Sequence, residues 1–169
     1  MREKRPMKDT LSIKTSYVLP PDTNHHGTLF GGKLMAYIDD IASISATKLA
    51  RKAVVTASTD SVDFLKPIGV GDAVTLEAMV TYTGTTSMEV FVKVLSENLM
   101  TGEKEVAAIS FLTFVALDES GRPSSIPEVV PETDEEKWLN ETAANRASHR
   151  KARKKYSKEL VEFFSSAGK

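Results

Sequence analysis

Val74-Thr-Leu-Glu-Ala-Met-Val-Thr-Tyr82, Thr83-Gly-Thr-Thr86 and Met88-Glu-Val-Phe-Val-Lys-Val94 are the stretch that decides the fold. Val74, Leu76, Ala78, Val80 and Tyr82 alternate with Thr75, Glu77, Met79 and Thr81. Met88, Val90, Val92 and Val94 alternate with Glu89, Phe91 and Lys93. A period of two marks strands with one buried face, and the short Thr83–Thr86 segment between them reads as a hairpin loop. Downstream, Asn98-Leu-Met-Thr-Gly102 turns the chain into Val106–Leu117, an almost continuously apolar strand. Upstream, Val54 to Leu65 is rich in Val, Thr and Ser and ends at Lys66-Pro67, with Ile68-Gly-Val-Gly-Asp72 as a turn. Before that the period changes. Leu34, Ile38, Ile41, Ser45 and Leu49 recur at spacings of three and four, which places them on one face of a helix from Lys33 to Arg51. Ser12–Leu19 reads as a short strand stopped by Pro20-Pro21. Four successive strands with tight connections predict an antiparallel meander whose apolar face needs a covering layer. The long helix supplies that layer. The expected class is α+β, a curved antiparallel sheet wrapped around one central helix.

The ends read differently. Residues 1–9 are charged and expected to fray. Asp118–Pro123 is a turn, and the three prolines within 123–131 predict a linker or extended arm. From Glu132 the chain becomes helical, with acids first and bases later, as a helix dipole prefers. Apart from Tyr156, its only large apolar side chains are Trp138, Leu139, Leu160, Val161, Phe163 and Phe164, so it must lie on another surface. Two parts follow: a body over residues 1–125 and a tail, arm plus basic helix, over 126–169.

Composition narrows the chemistry. The 169 residues carry 22 Lys plus Arg against 23 Asp plus Glu, a net charge of −1. That total hides Arg146, Arg150, Lys151, Arg153, Lys154, Lys155 and Lys158, a run without an acid, which leaves 15 bases against 23 acids elsewhere, a net of −8. With no Cys there is no disulfide, thiol nucleophile or Cys-based zinc site. His25, His26 and His149 are too few for a three-His centre, so no metal is expected. A G-x-S-x-G motif is absent, which removes the usual serine-esterase signature. No secretory h-region follows the N-terminus and no apolar run approaches ~18 residues, so a cytoplasmic protein with no membrane association is expected. The basic run lacks the aromatic interleaving of a nucleic-acid binder.

Three segments carry polar groups in informative places. Gly27-Thr-Leu-Phe-Gly31-Gly32-Lys33-Leu34 approaches the phosphate-loop pattern but has Leu34 where a hydroxyl would hold magnesium. What remains is a glycine helix start whose free N–H groups can hold a phosphate, a carboxylate or a carbonyl oxygen under attack. The alternative is that Gly31 and Gly32 only let the helix pass close beneath the sheet. Asp39 flanks the core face beside Met35, Ala42 and Ala46, where a partly dehydrated carboxylate can serve as a general base or, alternatively, bond a neighbouring strand or subunit. Asn24, in the Asn24-His25-His26 turn, either shapes the turn or uses its amide on a water or an oxyanion.

With these residues in view, the chain resembles the hot-dog-fold acyl-CoA thioesterases, in particular the bacterial and brain-type acyl-CoA hydrolases. The resemblance lies in Asp22–Asp39, Val62–Asp72 and Phe114–Asp118, within about residues 10–127. It implies hydrolysis of acyl-CoA to free acid and coenzyme A, with coenzyme A part of the substrate and no separate cofactor. Asp39 would activate water or attack directly, and Asn24 would come from the opposing subunit. The Gly32 N–H would polarise the thioester oxygen, with Gly31 shaping the turn. The hairpin Gly84-Thr85-Thr86-Ser87 would lie along the coenzyme A arm, with Thr85 where relatives often carry Arg. The resemblance further implies a homodimer as the active unit, commonly a hexamer built as a trimer of dimers. Because the body is acidic, Arg146 and Arg150, with Lys66, are expected to meet the coenzyme A phosphates. The competing readings are a non-catalytic acyl-CoA sensor and an RNA-associated protein acting through the basic tail.

Overall fold

The computed structural model describes residues 1–168. Its centre is the helix α1 (Gly31–Ala50), held by a five-stranded antiparallel sheet of β2 (Ser12–Tyr17), β3 (Ala53–Phe64), β4 (Ala73–Thr83), β5 (Ser87–Glu97) and β6 (Lys104–Leu117). Leu34, Ile38, Ile41 and Leu49 of α1 pack on Val74, Leu76, Ala78 and Val80 of β4 and Met88, Val90, Val92 and Val94 of β5, all buried. These are the faces that the two periodicities select, except at Tyr82: the register of β4 shifts between Val80 and Tyr82, which leaves Tyr82 exposed and Thr81 buried. Ser45 shares the core face of α1, and its hydroxyl is satisfied by the carbonyls of Thr10 and Ala78, the latter at 2.8 Å.

The strand order is β2-β4-β5-β6-β3, which corrects the expected four-strand meander. Only β4, β5 and β6 follow one another; β3 sits at the far edge, paired solely with β6. The segment between Phe64 and Ala73 must therefore cross the end of the sheet past two strands. It does so against the turn before α1, where Leu29 N–H bonds Ile68 O at 2.8 Å and Thr28 bridges Gly69. That crossing builds the wall of the cleft described below.

The N-terminus is not frayed. β1 (Lys4–Pro6) pairs in parallel with β7 (Glu128–Val130), inside the proline-containing arm, and Met7 is fully buried. The cause is apolar burial by Met7, Ile126 and Val129, which the charged composition of residues 1–9 masks. The tail continues as α2 (Asp134–Glu141) and α3 (Ala143–Ser166). A capping box starts α2: Glu136 N–H donates to the Thr133 hydroxyl, and the Glu136 carboxylate accepts from Thr133 N–H.

Candidate active site

Two groups of polar residues lie beside α1. The first is the turn that feeds the helix. Asn24 Oδ1 accepts from His26 N–H at 2.9 Å and from Thr28 N–H at 3.3 Å, while Nδ2 donates to the Thr28 hydroxyl at 3.0 Å. The amide oxygen is thus occupied in holding the turn, and the second Nδ2–H is left to donate. Phe30 is the N-cap and offers no side-chain cap; its carbonyl accepts from Lys33 N–H at 3.0 Å and Leu34 N–H at 3.1 Å. Among the described residues, the Gly31 and Gly32 N–H groups have no acceptor. A Cβ at Gly32 would lie 2.6 Å from a ring carbon of Phe30, so only glycine fits there without moving the ring. Asn24, Thr28, Gly31, Leu34, Phe64, Lys66 and Ile68 line a cleft of about 320 Å³ over this helix start.

The second group is Asp39 and Thr56. Asp39 is partly buried one side of the α1 midpoint, and its Oδ1 accepts from the Thr56 hydroxyl on β3 at 2.8 Å. No other partner of Asp39 occurs among the described residues. Thr56 shares the inner face with Val54 two residues earlier, and nothing local marks it as the partner of Asp39; the bulge comes after it, where Ala57 has no partner on β6 and the register shifts between Thr56 and Ser58. A second shift, at Asp60, turns that carboxylate to the outer face.

One chain does not join the two groups. Asp39 lies outside the cleft, about 12 Å along the helix from Gly31 at ~1.5 Å per residue, and bonds Thr56 rather than Asn24. Around both groups Phe30, Met35, Val55, Phe64 and Leu65 are exposed. The two elements that carry Asp39 and Thr56 also present an unpaired strand edge, since β3 has no neighbour beyond it.

The other expected contacts are placed as follows. Lys66 stands in the cleft, half exposed, with Glu105 at 3.5 Å. The Gly84–Ser87 hairpin is pinned by Arg2 on the Gly84 carbonyl and by Ile126 N–H on Thr85 O at 3.1 Å. It caps the sheet row of Met88, Phe114 and Thr56, so it stands at the Asp39 end of the molecule. Arg146 and Arg150 are not free cations, which corrects the premise that they await a phosphate. Arg146 forks onto the buried Glu89 carboxylate at 2.8–3.1 Å and lies over the Phe111 ring at 4.3 Å. Arg150 reaches Asp60 at 3.3 Å and Glu89 at 3.6 Å, and Arg153 donates to Asp60 at 2.5 Å. Burying two acids under the tail required these partners. Burial works to raise the Asp60 carboxyl, but bonds from Ser58, Thr113 and Arg153 and the charge of Arg150 outweigh it and hold it below the usual carboxylate range.

His25 and His26 are exposed and stacked on each other, 3.8 Å between centroids, and no group of His, Asp and Glu that could hold a metal occurs among the described residues. Among the described residues no helix is long and apolar enough to cross a membrane. The arrangement can therefore present a carboxylate steadied by one hydroxyl, unpaired backbone donors at a helix N-terminus and a free amide N–H. Those are a base and donors for a developing oxyanion.

Residues 26–103 match the protein family described as the thioesterase superfamily. The uncharacterized acyl-CoA thioester hydrolase YkhA of Bacillus subtilis is 63% identical over 159 residues, covering 94% of this chain and 92% of that one. The structure of an acyl-CoA hydrolase from Staphylococcus aureus, in complex with butyryl coenzyme A, coenzyme A and coenzyme A disulfide, superposes with a TM-score of 0.93 at 51% identity, covering 96% of this chain and 99% of that one. Variants of the same hydrolase with one Asp, one Asn or one Thr replaced by Ala are equally similar in structure. An apo-hexameric acyl-CoA thioesterase gives a TM-score of 0.88 at 57% identity, over 89% of this chain and 97% of that one.

Proposed function

This chain belongs to the thioesterase superfamily, and on that premise we propose that it hydrolyses acyl-CoA to free carboxylic acid and coenzyme A, at sites shared between two copies. The observation that carries the reading is the Asp39 carboxylate held by a single hydrogen bond from Thr56. Its other oxygen is left to take a proton from water. The hydroxide so formed adds to the thioester carbonyl carbon, and the charge that gathers on the oxygen meets the N–H of Gly32 and the spare Nδ2–H of Asn24. Collapse breaks the C–S bond, and the thiolate of coenzyme A recovers the proton from Asp39. The Asn, Asp and Thr replaced in the Staphylococcus aureus variants have the same spacing as Asn24, Asp39 and Thr56.

Two copies complete the site. In one chain Asn24 and Asp39 serve separate groups, and the open β3 edge with exposed Met35 and Val55 offers a surface along which a second copy can bring its own Asn24 to Asp39. Three such dimers would make a hexamer, the state named for one structural neighbour. Lys66, in the cleft beside Gly31, would meet the coenzyme A phosphates, and Gly84, Thr85, Thr86 and Ser87 would line its arm. Coenzyme A enters as substrate, and the scheme draws on no further cofactor.

The test is complementation between two dead subunits. Asn24→Ala should lower thiol release about 100-fold, the usual loss for one oxyanion donor. Asp39→Ala should abolish it. Mixed equally, the two chains place one intact site in each hybrid dimer, and about a quarter of the wild-type rate should return, since half of a random mixture is hybrid. No recovery would place Asn24 and Asp39 of one chain in the same site. Coenzyme A binding without thiol release by the wild type would replace the enzyme with a sensor.

A further inference from the structure

The tail holds a surface that the reaction does not use. It crosses the outer face of the sheet in a fixed order. Asn140 donates to Thr81 O on β4 at 2.8 Å, Arg146 meets Glu89 on β5 and Phe111 on β6, and Arg150 and Arg153 meet Asp60 on β3, the edge strand. The helix does not stop there. Residues 154–166 of α3 continue beyond that edge, roughly 20 Å at ~1.5 Å per residue, and every one of them is exposed.

This projection is not a solvated polar helix. Tyr156, Leu160, Phe163 and Phe164 follow Arg146, Arg150 and Arg153 at steps of three and four, so they continue the face that the arginines turn to the sheet. On its other sides, Lys151, Lys154, Lys155 and Lys158 have no ion-pair partner among the described residues, and neither do Glu159 and Glu162.

We propose that the projecting half of α3 seats on a second copy of this chain, its apolar stripe over the outer sheet face of that copy and alongside that copy's α3. The proposal rests on the shared-dimer reading, in which the β3 edges pair. Strands ~4.8 Å apart put about four strands of the second sheet beneath ~20 Å of helix. The two-fold axis reverses one α3 against the other, which carries Glu159 and Glu162 of each toward the unpaired lysines of its mate. A second copy thus covers the stripe and pairs both sets of charges. A bilayer fits less well, because the stripe faces toward the level of the sheet, where the protein body bars a flat membrane.

The test uses the full chain with Phe163 replaced by a photo-crosslinking phenylalanine analogue. Labelled and unlabelled chains are mixed, irradiated and digested. Cross-links from position 163 should join a labelled peptide to an unlabelled one containing β3, β6 or α3. A dimeric sample whose cross-links stay within single chains overturns the proposal while leaving the shared site standing; a monomeric, fully active wild type overturns both. A second variant, Leu160→Glu with Phe164→Glu, should weaken self-association about tenfold or more, since two apolar side chains lose their burial, and should leave helix content by circular dichroism and thiol release per dimer unchanged. Unaltered self-association overturns the proposal. So does wild-type flotation with phosphatidylglycerol vesicles that the double variant loses, which would assign the stripe to a lipid surface.

Discussion

Two aspartates contact or lie on β3 and are treated in opposite ways. Asp39 reaches its inner face from α1 and receives one hydrogen bond, from Thr56. Asp60 sits on a bulge at its outer face and receives Ser58, Thr113, Arg150 and Arg153. A carboxylate that must take up and return a proton needs a spare oxygen and freedom to approach water. One that anchors a helix needs every lone pair engaged, because an unpaired buried charge is costly. On the proposed mechanism, the number of partners, more than the residue type, separates reaction from anchorage here.

The largest effect expected is on the inner aspartate. Asp39→Asn should lower the rate of thiol release about a thousandfold, within the span of general-base catalysis, with the oligomeric state and the thermal midpoint unchanged. A matching loss of stability would place Asp39 with Asp60 as an anchor and erase the contrast. Next comes the outer cluster. Arg146→Ala leaves Glu89 buried without its main partner and should destabilise the protein by about 3 kcal/mol, read from urea unfolding, while turnover per folded molecule stays within about twofold. Thr56→Val removes one hydrogen bond worth ~1 kcal/mol and should reduce turnover about fivefold with KM little changed.

The smallest effect is set by acid. The Asp60 carboxyl is held below its usual value of 3.8, so its contribution to stability is complete above that pH and is lost as the pH falls through the lower folded-state value. Tail release, followed by Tyr156 and Trp138 fluorescence, should therefore begin below about pH 4 in the wild type. In Asp60→Asn that step should be absent.

Legibility followed the period of the chain. Val74–Val80 and Met88–Val94 kept their alternation, and the faces assigned from it there are the faces that pack on α1; a bulge at Thr81 ends the pattern, burying Thr81 and leaving Tyr82 exposed against the expectation. The positions of Gly32 at the helix start and of Asp39 beside the core face were legible, because a glycine helix start and a carboxylate beside a core stripe are local patterns. Asp60 was not, since the bulge at Ala57 shifts the alternation by one residue and re-aims the side chains that follow. Thr56 keeps the alternation of Val54, but nothing within a few residues pairs it with Asp39, seventeen residues earlier on another element. The arginines of α3 read as free cations because nothing local announces that Glu89, on a half-buried strand more than fifty residues earlier, lies beneath them.

The sequence by itself determined the main strands and helices other than the β1–β7 pair, the central helix and its buried stripe, and the residue types able to activate water and hold an oxyanion. These are set by interactions within a few residues, where periodicity and capping act. Only the tertiary structure decided that β3 lies at the far edge of the sheet, that Asp39 meets Thr56 while Asp60 meets α3, and that the apolar half of α3 projects past that edge. Each of these pairs groups distant along the chain, and the free energy that selects one pairing over another comes from burial and charge compensation in the assembled fold.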